Sequence, residues 1–289
     1  MLTRIISGAV GVAIMVVVFI FHDTIVLPVA VAAMIAVMLF ELLRAVKLEK
    51  CLQVLLASEA CGIAMPFIYE HFYYRESHKK IIEKDGSVTL VAFAVTLCAA
   101  FIVFVTWLRK HKDIRYEQVF FALAAMCLVP QAMTTMVRID RCSSRHGLFL
   151  LIMGLCGAWI ADTGAYFTGV AFGKHKLCPE ISPKKTIEGF VGGVLITGIV
   201  FAVSFGIYDS HRHIRDFGTA GIALAFVLGV LCAVIGTIGD LSASMVKRQI
   251  GFKDYGKIMP GHGGLMDRFD SVVFVLPTFY VFVELTDLV

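Results

Sequence analysis

The sequence predicts an all-α polytopic membrane protein with about nine transmembrane helices. Hydrophobic residues make up 58% of the 289 residues against 17% charged, and the mean hydropathy is +0.84, values foreign to a soluble domain. Apolar runs long enough to cross a hydrocarbon layer of roughly 30 Å recur along the whole chain. They lie near 5 to 21, 24 to 42, 51 to 69, 88 to 108, 117 to 137, 147 to 171, 187 to 208, 219 to 246 and 269 to 288. Strands are not expected: period-two alternation is absent, and an open sheet would leave backbone groups unpaired in lipid.

The first run follows Arg4 but precedes no small-residue cleavage site, so it reads as a retained helix. His22 and Asp23 then form a tight hairpin into the second span. Lys and Arg fall unevenly on alternate loops, the richer set being Arg4 and the loops near 44–50, 109–115, 172–186 and 247–268. The excess of positive charge places that set, and the N-terminus, in the cytoplasm. The chain reads as a single integral membrane domain over 1–289, with motif-free spans in 1–146 and catalytic spans and loops in 147–289. Its eight cysteines form no CxxC pair and read as small core residues. A net charge of +4, spread through loops beside lipid, favours anionic headgroups over nucleic acid. Small residues within the spans are compatible with a homodimer.

The densest chemistry lies between Ser244 and Asp270, where charges of both signs surround a glycine turn in an otherwise apolar chain. On a helix at 100° per residue, Asp240, Ser244 and Lys247 share a stripe roughly 60° wide. Asp240 is either a solvated helix end or a ligand, and its stripe partners favour the ligand. Gly229, Ala233 and Gly236 ahead of it suit close helix packing. Beyond Gly251, Pro260-Gly261-His262-Gly263-Gly264 reads as a turn whose N–H groups can cradle an anion at the start of the ninth span. Asp267 and Asp270 open that span at i and i+3, about 60° apart, a spacing suited to sharing hard divalent cations. Helix capping is the competing reading of both. His262 is either a general base or a turn residue. A phosphate monoester nucleophile, with a second pKa of about 6, needs no base at neutral pH.

A second cluster runs from Trp159, Asp162, Tyr166 and Gly169 through Gly173-Lys174-His175-Lys176 to Ser182-Pro183-Lys184-Lys185-Thr186. Gly173-Lys174 is no P-loop, since its spacing is wrong and His175 occupies the magnesium-binding Ser/Thr position. Ser182-Pro183 has the form of a helix start that projects Lys184 and Lys185 at headgroup depth, to bind phosphate or simply to follow the positive-inside bias. Asp162, roughly 13 Å below the cytoplasmic end of its span, requires a polar cavity or a partner.

These residues together resemble the phosphatidate cytidylyltransferase (CDP-diacylglycerol synthase) family of bacterial type. That family's signature runs Ser-x-x-Lys-Arg, four residues, Lys-Asp, then Pro-Gly-His-Gly-Gly-x-x-Asp-Arg-x-Asp. Here Ser244, Lys247, Arg248, Lys253, Asp254, Pro260 to Gly264, Asp267, Arg268 and Asp270 fill it without a departure. Asp162 to Tyr166 and Ser182 to Thr186 with Glu188-Gly189 resemble its other landmark, so the likeness covers roughly residues 150 to 289. The resemblance implies that CTP and phosphatidic acid, the latter held in membrane lipid, give CDP-diacylglycerol and pyrophosphate with Mg2+ and room for a second cation. It implies metal ligation by Asp240, Asp267 and Asp270, and catalysis by Ser244, Lys247, Asp267 and Asp270. It further implies substrate binding by Arg248, Lys253, His262, Gly263, Gly264 and Arg268, and by Lys184, Lys185, Asp162 and Tyr166. A CTP-dependent lipid or polyprenol kinase needs the same grips on metal and phosphate. A transporter of anionic solutes would use Asp162 and the glycine turn differently and predicts an inverted repeat, which the sequence does not display. A CDP-alcohol phosphotransferase is disfavoured because its Asp-Gly-x-x-Ala-Arg pattern is missing.

Overall fold

A computed structural model of the chain describes residues 2–78, 86–143, 145–212, 218–259, 261 and 263–286. It is built of helices α1 (Leu2–Ile20), α2 (Val26–Ala45), α3 (Leu52–His78), α4 (Ser87–Arg109), α5 (Tyr116–Cys142) and α6 (Gly147–Phe172), followed by α7 (Ile187–Arg212), α8 (Gly218–Ile250), α9 (Met266–Phe269) and α10 (Val272–Thr286). Among the described residues, α2 to α8 each contain a stretch long and apolar enough to cross a membrane, while Ile6–Ile20 and Val272–Thr286 are shorter apolar helices. The architecture is that of a polytopic membrane protein, and each of the first eight predicted runs coincides with a helix.

Two expectations are corrected. The stretch after α6 is a small antiparallel hairpin, strand β1 (Lys176–Cys178) paired with strand β2 (Ser182–Thr186), so Ser182-Pro183 begins a strand and not a helix. Helix α7 starts only at Ile187, because the hydroxyl that caps it belongs to Thr186, which accepts the Gly189 N–H at 3.2 Å. Glu188 in its first turn takes the N–H groups of Lys174 and His175, fastening the hairpin's entry to the helix. The last span is also interrupted: α9 ends at Phe269 and α10 begins at Val272, leaving Asp270 and Ser271 in a turn. Asp267 and Asp270 therefore do not share a face of one helix.

The residues gather into two compact units, Met1–Arg141 with Phe252–Arg268, and Cys142–Gly251 with Phe269–Val289. The loop between α8 and α9 thus belongs with the motif-free N-terminal helices, which the sequence did not suggest.

In the first unit Leu43, Val54, Met65, Val103, Val119 and Met126 form one apolar cluster. Helices α2 and α3 approach closely at Gly62, where a Cβ would lie 2.6 Å from Leu39 and 2.7 Å from Ile35. The hairpin at His22 is present, and its imidazole Nδ1 lies 2.8 Å from Oδ1 of Asp140. Arg141 reaches Glu70 on α3 through Nε at 3.1 Å and Nη2 at 3.0 Å, its neighbour Asp140, and the carbonyl of His22. Two buried carboxylates and a guanidinium so tie α3, α5 and the α1–α2 turn together.

In the second unit, glycines let helices meet almost at van der Waals contact of their backbones. A Cβ on Gly193 of α7 would sit 2.7 Å from the Ala161 carbonyl of α6, and one on Gly229 of α8 would sit 2.8 Å from the Thr197 carbonyl of α7. Gly236 faces Val275 and Ser271, while Ala233 is buried, as expected of a packing stripe. Of the cysteines, Cys51, Cys61 and Cys232 are buried, but Cys98, Cys127 and Cys142 lie exposed on helix surfaces, so the core reading holds for only part of the set.

Replacing Arg141 with Ala strips Glu70 and Asp140 of their shared counter-charge and is expected to cost about 3–5 kcal/mol, seen as a lowered melting temperature of the detergent-purified protein. Arg141→Lys should recover only part of it, since an ammonium cannot reproduce the two-pronged contact with Glu70.

Candidate active site

The second unit brings together five of the predicted residues. Lys185, at the end of the β hairpin, places its Nζ 2.5 Å from Oδ2 of Asp240 on α8. Lys185 and Asp240 both act electrostatically on Asp162 of α6, and Asp240 and Asp162 both act on Asp270. Lys247, two turns beyond Asp240, has its Nζ 3.9 Å from Oδ2 of Asp270. The stripe on α8 is therefore used as the helical geometry predicted, with Asp240 and Lys247 each facing an opposite charge and Ser244 between them, half-buried.

Asp270 is 6% exposed, and its Oδ1 accepts the N–H of Ser271 at 2.8 Å. It stands in the turn outside the apolar helices. Burial, reinforced by the Asp240 carboxylate, pushes its carboxyl up to about 7, while Lys247 opposes the shift. Three carboxylates against two ammonium groups leave a surplus of negative charge carried on hard oxygens, a chemistry that suits a divalent cation.

Two members of this cluster, Asp162 and Lys185, line a cleft of about 560 Å³ that Tyr166, Lys176, Lys184 and Thr237 also border. The cleft joins the charged cluster to apolar helix surface, with Tyr166, Phe167 and Val170 of α6 exposed beside it. Close approach of α6 to the hairpin keeps this wall in place: a Cβ on Gly169 would lie 2.8 Å from the Thr186 hydroxyl. The two lysines that the sequence treats alike are separated here, since Lys184 is exposed and Lys185 is half-buried against Asp240.

Apart from Arg248, the rest of the signature lies in the first unit. Gly261 and Gly263 adopt φ of +79° and +88°, a backbone that glycine tolerates, and Met259 and Gly263 pair across the turn. One N–H of this turn meets an anion of the protein's own: Oδ2 of Asp267 accepts from Gly264 at 2.9 Å, and also from Tyr255, outside the turn, at 2.8 Å. Gly264 is buried, whereas Lys253 and Arg268 are exposed, as is Arg248 at the end of α8. His262 lies outside the described residues. Of the expected metal ligands, Asp240 and Asp270 share the second unit and Asp267 belongs to the first. Among the described residues, the His, Asp and Glu group whose ligand atoms all fall within 4.8 Å is His22, Asp23 and Asp140, where Arg141 already neutralises Asp140.

One residue with a role here escaped the sequence reading. Glu41 of α2 is 1% exposed, and its two oxygens accept the N–H groups of Leu265 at 3.1 Å and Met266 at 2.8 Å. A carboxylate inside the second apolar run was the available signal.

A sequence model described as the cytidylyltransferase family matches residues 2–286. The chain belongs to that family. A phosphatidate cytidylyltransferase of Bacillus subtilis is 34% identical over 255 residues, 88% of this chain and 87% of its own length. One of Haemophilus influenzae is 44% identical over 137 residues, 47% of this chain and 46% of its own, and one of Staphylococcus haemolyticus is 41% identical over 158 residues, 54% and 58%. The matches to the last two thus span about half the length of those relatives, while the first spans nearly all of its length. The family match extends over the N-terminal helices that carry no motif, so those helices are part of the same fold.

For this family member the separation of the two hairpin lysines is testable. On the activity proposed below, Lys185→Ala is expected to lower cytidylyl transfer on the order of a hundredfold, the usual scale for removing a group aimed at developing charge. Lys184→Ala should cost less than about threefold, as for an exposed charge. Initial rates with radiolabelled CTP check both.

Proposed function

We propose that this chain transfers the cytidylyl group of CTP to phosphatidic acid, giving CDP-diacylglycerol and pyrophosphate. The observation that carries the reading is the Asp162–Lys185–Asp240–Lys247–Asp270 cluster, whose Asp162 and Lys185 line a cleft beside apolar helix surface. Such a site can hold a charged nucleotide and the headgroup of a lipid whose chains stay in the membrane. The names of the relatives point the same way.

Two anions must meet for this reaction. A phosphatidate oxygen attacks the α-phosphorus of CTP, a new O–P bond forms, the bond from that phosphorus to the bridging oxygen breaks, and pyrophosphate leaves with the electron pair. The phosphatidate monoester is already mostly deprotonated at neutral pH, so no side chain has to remove a proton. Lys185 and Lys247 lower the repulsion between the reactants, because each is drawn from its carboxylate toward an incoming phosphate. Arg248, Lys253 and Arg268, all exposed, supply further grip on the triphosphate, and Ser244 offers a hydroxyl between Asp240 and Lys247. Tyr166 and Lys184 border the lipid side of the cleft. Asp240 and Asp270 would hold magnesium, whose positive charge would lie between the two substrates with room for a second cation, and Asp267 is kept as a candidate ligand on its place in the signature alone. Gly263 and Gly264, ahead of the helix that carries Asp267, are assigned to substrate binding, as is His262 on its place in the signature. Among the described residues, seven helices of membrane-crossing length and two shorter apolar ones, with the distribution of Lys and Arg, support nine spans with the N-terminus and the cleft facing the cytoplasm, in the inner membrane of a bacterium.

Label from the α-phosphate of CTP is expected to appear in the lipid product; label from the γ-phosphate appearing there instead would identify a kinase. Asp270→Ala should abolish metal-dependent transfer while the protein keeps its elution volume and melting temperature. Full turnover by this variant at ordinary magnesium concentration would remove Asp270 from the site.

A further inference from the structure

We infer that Glu41, on α2 in the half of the chain without motifs, is a positioning residue for the loop that presents Asp267. The inference rests on the function proposed above and extends it to a residue outside every motif. A carboxylate 1% exposed near the end of an apolar helix is costly unless its oxygens are satisfied. Here both are satisfied by backbone alone: Oε1 accepts from Leu265 at 3.1 Å and Oε2 from Met266 at 2.8 Å. Leu265 precedes α9 and Met266 opens it, and Asp267 follows immediately. The Asp267 carboxylate in turn holds Tyr255 and Gly264 at 2.8 and 2.9 Å. Two carboxylates thus fold the loop around themselves, Glu41 gripping one stretch and Asp267 the other.

The glycines of the signature provide an independent observation. Gly264 has an ordinary negative φ, so backbone freedom does not explain it; a Cβ there would lie 2.5 Å from both Glu41 oxygens. A Cβ on Gly256 would collide with Glu41 Oε1. Both positions lack a side chain because the Glu41 carboxylate occupies that space. The loop is shaped to receive this one group, and any side chain that fails to accept two N–H bonds in the same place releases Leu265 and Met266 and lets Asp267 drift.

The test uses the full-length protein in detergent with CTP and phosphatidate. Glu41→Gln keeps the volume but presents an NH2 donor to one of the two N–H groups. It is expected to lower kcat at least tenfold, the scale of a misplacement of about 1 Å, with the KM for CTP held within about twofold. The magnesium concentration for half-maximal activity should rise, while the melting temperature stays within a few degrees of wild type. A purely structural role would lower the melting temperature and leave the magnesium requirement unchanged. Gly264→Ala alone is expected to be nearly inactive, but in a Glu41→Ala background it should add little further loss, because the carboxylate it would strike is gone. Additive losses in that cycle, or Glu41→Gln with wild-type kcat and magnesium requirement, would overturn the inference. Asp267→Asn serves as the reference: its full activity would overturn the site assignment itself, and the Gly264 cycle would still decide whether Glu41 shapes the loop.

Discussion

Carboxylates set among apolar helices have to be neutralised where they stand, and the structure is organised around the ways in which this is done. In the first unit Glu70 and Asp140 share one guanidinium, and Glu41 takes two backbone N–H groups in place of a cation. In the second unit Asp240 is met by Lys185, and Asp270 by Lys247 at the longer distance of 3.9 Å. The first kind of pairing is closed, with every partner supplied by the fold. The second is open: among the described residues Asp162, Asp240 and Asp270 share Lys185 and Lys247, and the surplus of negative charge is what the proposed metal would offset. That difference separates residues that hold the fold from residues suited to chemistry.

The open cluster exists because glycine allows it. Asp162, Lys185 and Asp240 come from α6, the hairpin and α8, and long side chains on the intervening surfaces would hold those elements apart. Gly193 against α6, Gly229 against α7 and Gly169 against Thr186 remove the obstacle. Dispersion between closely packed backbones, and not a hydrophobic drive that lipid would cancel, holds the helices at that distance. Positioning of charge is thus a product of small residues far less conspicuous than the charges themselves.

Much of this was legible beforehand. Apolar runs located the helices because a bilayer demands their length, and the i, i+4, i+7 stripe on α8 was right because a long helix leaves no freedom in the bearing of Asp240, Ser244 and Lys247. The hairpin was missed for a physical reason: Ser182-Pro183 has the form of a helix start, yet the capping hydroxyl proved to be that of Thr186, and the backbone of the preceding residues was taken up by β1. The uninterrupted ninth span failed similarly. Periodicity registers Asp267 and Asp270 as i and i+3, but it does not register the two-residue turn that leaves Asp267 bonded within its loop and Asp270 buried at the head of α10.

By itself the sequence determined that the chain forms membrane-length helices and that its polar chemistry is concentrated in two segments, because hydropathy and helical period are local properties of the chain. Only the tertiary structure decided which charges answer one another. Lys185 and not Lys184 meets Asp240, and Glu41 and not a neighbouring loop residue holds Leu265 and Met266 across more than two hundred positions of sequence. Such pairings depend on distances between elements, which are set by how closely glycine-bearing surfaces pack, and no short-range pattern in the chain records them.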